Sequence, residues 1–461
     1  MKTFLENKKI KLIVLTIIIV IGAVLRLWQL GAVPSSIDWD EASLGYNAYS
    51  IFETGKDEFG KTLPVVLRSF DDYKPALYAY LIIPSYKIFG LNEFPVRFPS
   101  AIMGILTLIS VYFLVRKLFQ KENIALLTTF LLAISPWHIQ FSRIAFESNV
   151  GLALNIFAAT FFLYGLKKHW MLIFAAIFAG LSVHSYQSDR VFTPLFILGM
   201  LIIYFKSFIK VPKKYIVSAF VVGLIIILPL VIYICSDSNV LLRAKGTSVF
   251  SDNMVLLKDN AKRNEFNIES SNELGKIIDN RRVVYARSVL ENYLSHFSPN
   301  WLLRGDIARH HAPEMGLIYI WEFPFILIGI YILLFSKFDK RAKYFIFFWF
   351  LLAPIPASIT TGVPHAVRTL NFLPTWQIFS ALGLIATYSA VSSIRPARHA
   401  TQGVAGGYKA KIYHYCLVFW FCRFQFSILP ESVFRPAKLF SCKRLAVRVR
   451  ANDGGGSKTG K

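Results

Sequence analysis

The chain has 461 residues, 55% of them hydrophobic and 15% aromatic, with a mean hydropathy of +0.49 and a formal net charge of +24. The apolar residues gather in blocks of about 20 instead of following a 3.6-residue amphipathic rhythm, which excludes a soluble globular core and marks a multispanning membrane protein. Lys and Arg sit in short clusters between those blocks and not along one face, so the positive charge reads as membrane topology and argues against nucleic-acid binding.

Basic residues collect on the cytoplasmic side, which gives each block a direction. With residues 1–11 inside, block 10–30 leads outward. It is long and has no small-residue cleavage site, so it is expected to remain as an anchor. Block 74–90 is broken by Pro75, Pro84 and Lys87 and is rich in Tyr; it is predicted to lie at the interface without crossing. Block 99–118 enters towards Arg116, Lys117 and Lys121, and 124–134 exits into PWHIQF. Block 150–166 returns to Lys167 and Lys168, 171–183 exits, 191–205 returns to KSFIKVPKK, and 215–235 exits again. The polar stretch 236–316 is the long outer loop. Beyond it 317–335 enters to SKFDKRAK, 344–359 exits, and 370–391 enters to Arg395, Arg398 and His399. The expectation is an all-α polytopic protein of the cell membrane with about ten transmembrane helices, interfacial helices in the first outer loop (31–98), and a cytoplasmic N-terminus.

This organisation covers residues 1–393. Residues 394–461 form a basic tail of abruptly different composition, holding Cys416, Cys422 and Cys442 of the four cysteines; with Cys235 they show no metal-ligand spacing. Back-translating the tail with permitted codons and moving one nucleotide allows a spanning block followed by an aromatic segment, so two readings stand: a basic cytoplasmic tail, or a frame-shifted, non-native one.

All the polar stretches with chemical potential fall on the predicted outer face: SIDWDE, FDDYKP, SPWHIQFSRIAFES, HSYQSDR and GVPHAVR. Five loops converging on one side predict an active site open to the outer leaflet. Asp38, Asp40 and Glu41 place three carboxylates beside a lipid boundary, where charge is costly unless a site needs it. Their bland alternative is a solvated helix start. Lys74 is either a ligand for an anion or a snorkelling interfacial side chain. Arg143 and Glu147 lie four apart, the spacing of a plain helical ion pair. Asp71 and Asp72 read as solvated loop acids, and His138 as an interface residue. Tyr186 and Arg190, with His365 and Arg368, set outward cations against the inside bias. Cations and carboxylates on separate outward loops suit an anionic head at the membrane surface, as a lipid phosphate is.

The residues resemble a known family. An outward DE pair after the first helix (Asp40, Glu41), then Lys74-Pro75 in KPALYAY, then FGLNEFPVRFPSAIMGILTLISVYFLVRKLF, is similar to the C-type membrane glycosyltransferases, among them the protein O-mannosyltransferases and the lipid A aminoarabinose transferases. Ala76 stands where such enzymes often have a second proline. The resemblance implies an inverting transfer of a sugar from a polyprenyl-phosphate donor to a hydroxyl of a protein, lipid or surface glycan at the outer face. It implies that Asp40 is the base, that Glu41 is its helper, and that Lys74 meets the donor phosphate. The remaining substrate-binding candidates are Asp38, Arg143, Glu147, Tyr186, Arg190, His365 and Arg368. No cofactor is assigned; a divalent cation at Asp40 and Glu41 stays open, because hard cations take carboxylates. Within the long loop Arg243, Lys245, His296, Arg309, His310 and His311 are unranked acceptor-side candidates. The competing reading is a lipid-linked sugar transporter or flippase, which would hold ionisable residues mid-helix and show internal repeats. A membrane scaffold is the third.

Overall fold

The structure, a computed structural model, describes residues 7–69, 72–236, 246–257, 280–304 and 315–399. Residues 400–461 of the tail, Asp71, and Arg243, Lys245, Arg309, His310 and His311 lie outside these residues. The chain opens with α1 (Lys8–Leu27), capped by the Asn7 side chain on the Lys9 amide. A short connection leads to α2 (Trp39–Thr54), which ends at Gly55 with φ +71°, a left-handed position that suits glycine. A two-stranded antiparallel hairpin follows, β1 (Val66–Ser69) and β2 (Asp72–Pro75), with Leu67 opposite Lys74 and Val66 opposite Pro75. Next come α3 (Leu77–Phe89), α4 (Glu93–Phe119), α5 (Glu122–Ala133), α6 (Pro136–Arg143) and α7 (Glu147–Gly165). Four more elements, α8 (Met171–Val183), α9 (Asp189–Ile203), α10 (Phe205–Phe208) and α11 (Lys213–Ser236), complete the first half of the chain.

Lys74 therefore does not open a helix, as the block 74–90 implied. Proline cannot donate a ladder hydrogen bond, and Pro75 sits at the strand end, so the helix begins only at Leu77. Its inner face, Tyr78, Ala79 and Ile82, is fully buried.

Among the described residues four helices are long and apolar enough to cross a membrane: α1, α4, α7 and α11. A fifth is reached if α5 and α6, bent by 55° at their junction, form one broken span. The count of about ten crossings is not reproduced by length and composition, because several expected blocks are divided. Block 344–359 splits at Pro354 into Lys340–Leu352 and Ile355–Ser358, and 370–391 resolves into a 3-10 turn followed by Thr375–His399. The chain is a multi-pass membrane protein.

Where helices pack most closely, glycine permits it. A Cβ on Gly329 would stand 1.9 Å from the Phe379 carbonyl oxygen, and one on Gly383 the same distance from that of Phe325, so the helices Glu322–Phe335 and Thr375–His399 meet backbone to backbone.

The first half is also fastened by buried arginines. Arg26 in α1 is fully buried and donates to the carbonyls of Gly22, Ala133 and Leu132 and to His138 Nδ1. His138 is thus a core residue and not an interfacial one. Its place follows from Ser135 and Pro136 starting α6 inside the bundle.

Candidate active site

The segment that leads from α1 into SIDWDE is held by two arginines that the chain supplies from far downstream. Arg97 donates to the carbonyls of Leu30, Pro34 and Ser36 at 2.9–3.1 Å. Arg143 donates to those of Leu25, Trp28 and Val33 at 2.8–3.0 Å. Six carbonyls from the end of α1 and the segment after it are satisfied in this way, as backbone acceptors shielded from water require. Asp38 then caps α2 and carries Trp39 and Asp40 out at its first turn.

Glu41 completes that fastening. Its Oε1 accepts from Arg97 Nε at 2.9 Å and from the Ala145 amide at 2.8 Å, and its Oε2 from Arg97 Nη2 at 3.0 Å and the Asp38 amide at 3.1 Å. Glu41 is 2% exposed, and all its accepting capacity is directed inwards. An ion shared by Asp40 and Glu41 therefore finds only one of the two carboxylates available.

Asp40 faces the other way, half-buried, and pairs with the buried Lys74 Nζ delivered by β2. The hairpin is fixed from both sides: Ser43 Oγ meets Ser69 Oγ at 2.7 Å, and Gln187 Nε2 donates to the Tyr73 carbonyl at 2.7 Å. Arg190 Nη1 holds Gln187 Oε1 at 2.8 Å, so Arg190 supports the strand bearing Lys74.

Around the Asp40–Lys74 pair opens a cleft of about 330 Å³, lined by Asp38, Asp40, Lys74, Glu147, His365 and Arg368, with Tyr186, Trp39 and Phe146 among its walls. Burial, and after it the charge of Asp40, raises the Asp38 carboxyl above the usual carboxylate range. Arg368 Nη1 donates to Thr360 Oγ1 at 2.6 Å and to the Thr361 carbonyl at 2.7 Å, which turns GVPHAVR towards the cleft. The His365 amide donates to His296 Nε2 at 3.3 Å, and His296 Nδ1 donates to the Asn292 carbonyl at 2.7 Å. His296 is thereby a neutral fastener of the His365 loop, and burial lowers its ring to about 4.

Seven of the ten residues singled out from sequence meet at this cleft. Glu41, Arg143 and Arg190 stand behind it. Arg143 and Glu147 end and begin different helices, separated by residues 144–146, so helical four-residue spacing does not relate them. Sequence reasoning passed over Arg97, Gln187 and Asp189. Asp189 is fully buried, and its Oδ1 accepts from Asn155 Nδ2 at 3.1 Å and Asn371 Nδ2 at 2.7 Å. It joins α7, α9 and the segment just after Arg368, in space that Gly151 leaves open. The available signal was an acid beside Arg190 at a predicted span entrance. Among the described residues no three His, Cys, Asp or Glu side chains converge as a metal-ligating group.

Comparison with known proteins shows what this multi-pass bundle with a charged cleft at one end is similar to. Residues 73–233 match the family described as dolichyl-phosphate-mannose-protein mannosyltransferase. A protein of Aquifex aeolicus described only as uncharacterized is 28% identical over 146 residues, 31% of this chain and 28% of its own length. The archaeal oligosaccharyltransferase AglB from Archaeoglobus fulgidus, solved with an inhibitory peptide and a dolichol-phosphate, superposes with a TM-score of 0.56 at 15% identity over 96% of this chain. ArnT from Cupriavidus metallidurans bound to undecaprenyl phosphate gives 0.50 at 13% identity over 87%. The chain spans 58% of the AglB chain and 67% of the ArnT chain. At these identities the likeness is one of fold, and it bears out the resemblance to the C-type membrane glycosyltransferases.

Proposed function

We propose that the protein transfers a sugar from a polyprenyl-phosphate donor to an acceptor hydroxyl, with the chemistry in the Asp40–Lys74 cleft at the outer face of the membrane. The observation that carries this is the juxtaposition, from three separate chain segments, of a half-buried carboxylate with a buried ammonium and an arginine in one cleft. Displacement at an anomeric carbon needs a base on the incoming side and positive charge on the leaving side, and this set supplies both.

In the resting site Lys74 holds Asp40. A donor phosphate entering the cleft offers Lys74 and Arg368 a second anion, and Asp40 is released towards the acceptor. Asp40 accepts the hydroxyl proton as the acceptor oxygen bonds to the anomeric carbon and the bond from that carbon to the phosphate oxygen breaks. A positioned base typically contributes about 100- to 10,000-fold. The leaving polyprenyl phosphate gains charge where Lys74 and Arg368 stand, so its stabilisation grows along the reaction. Attack from the face opposite the phosphate inverts the centre. Asp38, whose carboxyl is raised by burial and then by Asp40, and Glu147 line the acceptor side with Tyr186 and His365.

The test is to incubate the purified protein in detergent with labelled polyprenyl-phosphate sugars and follow the label. Asp40→Asn is expected to abolish transfer while membrane insertion stays normal. Unchanged transfer by this variant would exclude Asp40 as the base.

A further inference from the structure

A second cavity lies at the other end of the bundle. Glu147 lines the active-site cleft at the start of α7, whereas Leu163, Tyr164, Leu166 and Lys167, at its end, line a cavity of about 1010 Å³. Helix α7 has 19 residues, so the two sites stand about 28 Å apart at 1.5 Å per residue.

This cavity gathers six cations from five places in the chain: Lys11, Arg116, Lys117, Lys167, Lys210 and Arg341. Only two carboxylates answer them, and both are already engaged. Glu122 binds Arg116 at 2.8 Å, reaches Lys11 at 3.9 Å and accepts from the Tyr112 hydroxyl at 2.8 Å, while Asp339 caps its own helix and reaches Arg341 at 3.4 Å. Cations outnumber carboxylates by four in this concave space, and Lys117 and Lys167 repel one another. Basic residues that serve only membrane topology can spread out into water; here they are turned towards one volume. That volume also has apolar walls, Leu118, Leu163 and Leu166, at the ends of the candidate spans α4 and α7. Cations beside an apolar wall at a helix end match an amphiphile with a phosphate head.

We propose that this cavity binds the phosphate head of an acidic phospholipid, at the end of the bundle opposite the catalytic cleft. The site is independent of the transfer reaction: the cleft residues take no part in it.

The test is native mass spectrometry of the full chain in detergent, titrated separately with cardiolipin, phosphatidylglycerol and phosphatidylcholine, and with inorganic pyrophosphate as the soluble phosphate. The acidic lipids are expected to bind and phosphatidylcholine not. Lys117→Gln/Lys167→Gln/Lys210→Gln is expected to lower acidic-lipid occupancy by about tenfold or more. Lys213→Gln/Lys214→Gln, basic but outside the cavity, leaves it unchanged. Should the triple variant fail to fold, Lys210→Gln alone, an exposed loop position, still reduces binding. Competition by pyrophosphate identifies the phosphate as the recognised group and a soluble source as able to use it; binding of acidic lipid without such competition identifies the lipid as the source. Equal binding of phosphatidylcholine, or unaltered acidic-lipid binding in the cavity variants, overturns the proposal.

Discussion

Replacing Glu41 by Gln separates a chemical role from a mechanical one. The carboxylate accepts four hydrogen bonds, two from Arg97 and one each from the amides of Ala145 and Asp38. Gln keeps the shape but turns one oxygen into a donor, which then faces other donors, and it leaves Arg97, 1% exposed, without its counter-charge. Breaking a buried ion pair from one side costs about 3–5 kcal/mol. The pair is shielded from water, so no large solvent discount applies. Glu41→Gln is therefore expected to lower the midpoint of thermal unfolding in detergent by several degrees, while the fraction that remains folded keeps much of its transfer rate. Glu41→Leu/Arg97→Met removes both charges and is expected to recover part of the loss. The recovery stays partial because the Leu30, Pro34 and Ser36 carbonyls also lose their donor. Fluorescence-detected unfolding and label transfer per folded molecule read the two effects separately. An unchanged midpoint with abolished transfer would refute this reasoning and return Glu41 to the chemistry.

Lys74→Ala is expected to weaken use of the donor more than of the acceptor, read as separate KM values; equal effects on both contradict the phosphate role. Gly329→Leu is expected to destabilise strongly, since its side chain would meet the Phe379 backbone at 1.9 Å; retention of the wild-type unfolding midpoint would show that the two helices can separate. His296 sets a pH dependence: burial lowers it from 6.5 to about 4, so its contribution to stability is complete above pH 6.5 and is lost as the pH falls towards 4. The shift corresponds to about 3 kcal/mol at most. His296→Phe is expected to flatten stability across that window, and an unflattened profile there would assign the acid sensitivity to other groups.

The membrane class, the bounds of most helices and the residues facing the cleft were legible in the sequence, because hydropathy, basic clusters and proline act locally. Block 171–183 coincides with Met171–Val183, and Asp38, Asp40, Lys74, Glu147, Tyr186, His365 and Arg368 were marked as outward polar residues before any of them could be seen to meet. Local signals could not divide the polar residues into those that face substrate and those that hold the loops. Asp40 and Glu41 are adjacent and chemically alike, yet consecutive residues of a helix point about 100° apart. One meets Lys74 across the cleft, and the other meets Arg97, 56 residues further along the chain. That choice is made by which partner the tertiary packing brings to each face, and an arginine at a helix start carries no mark of the carboxylate it will find.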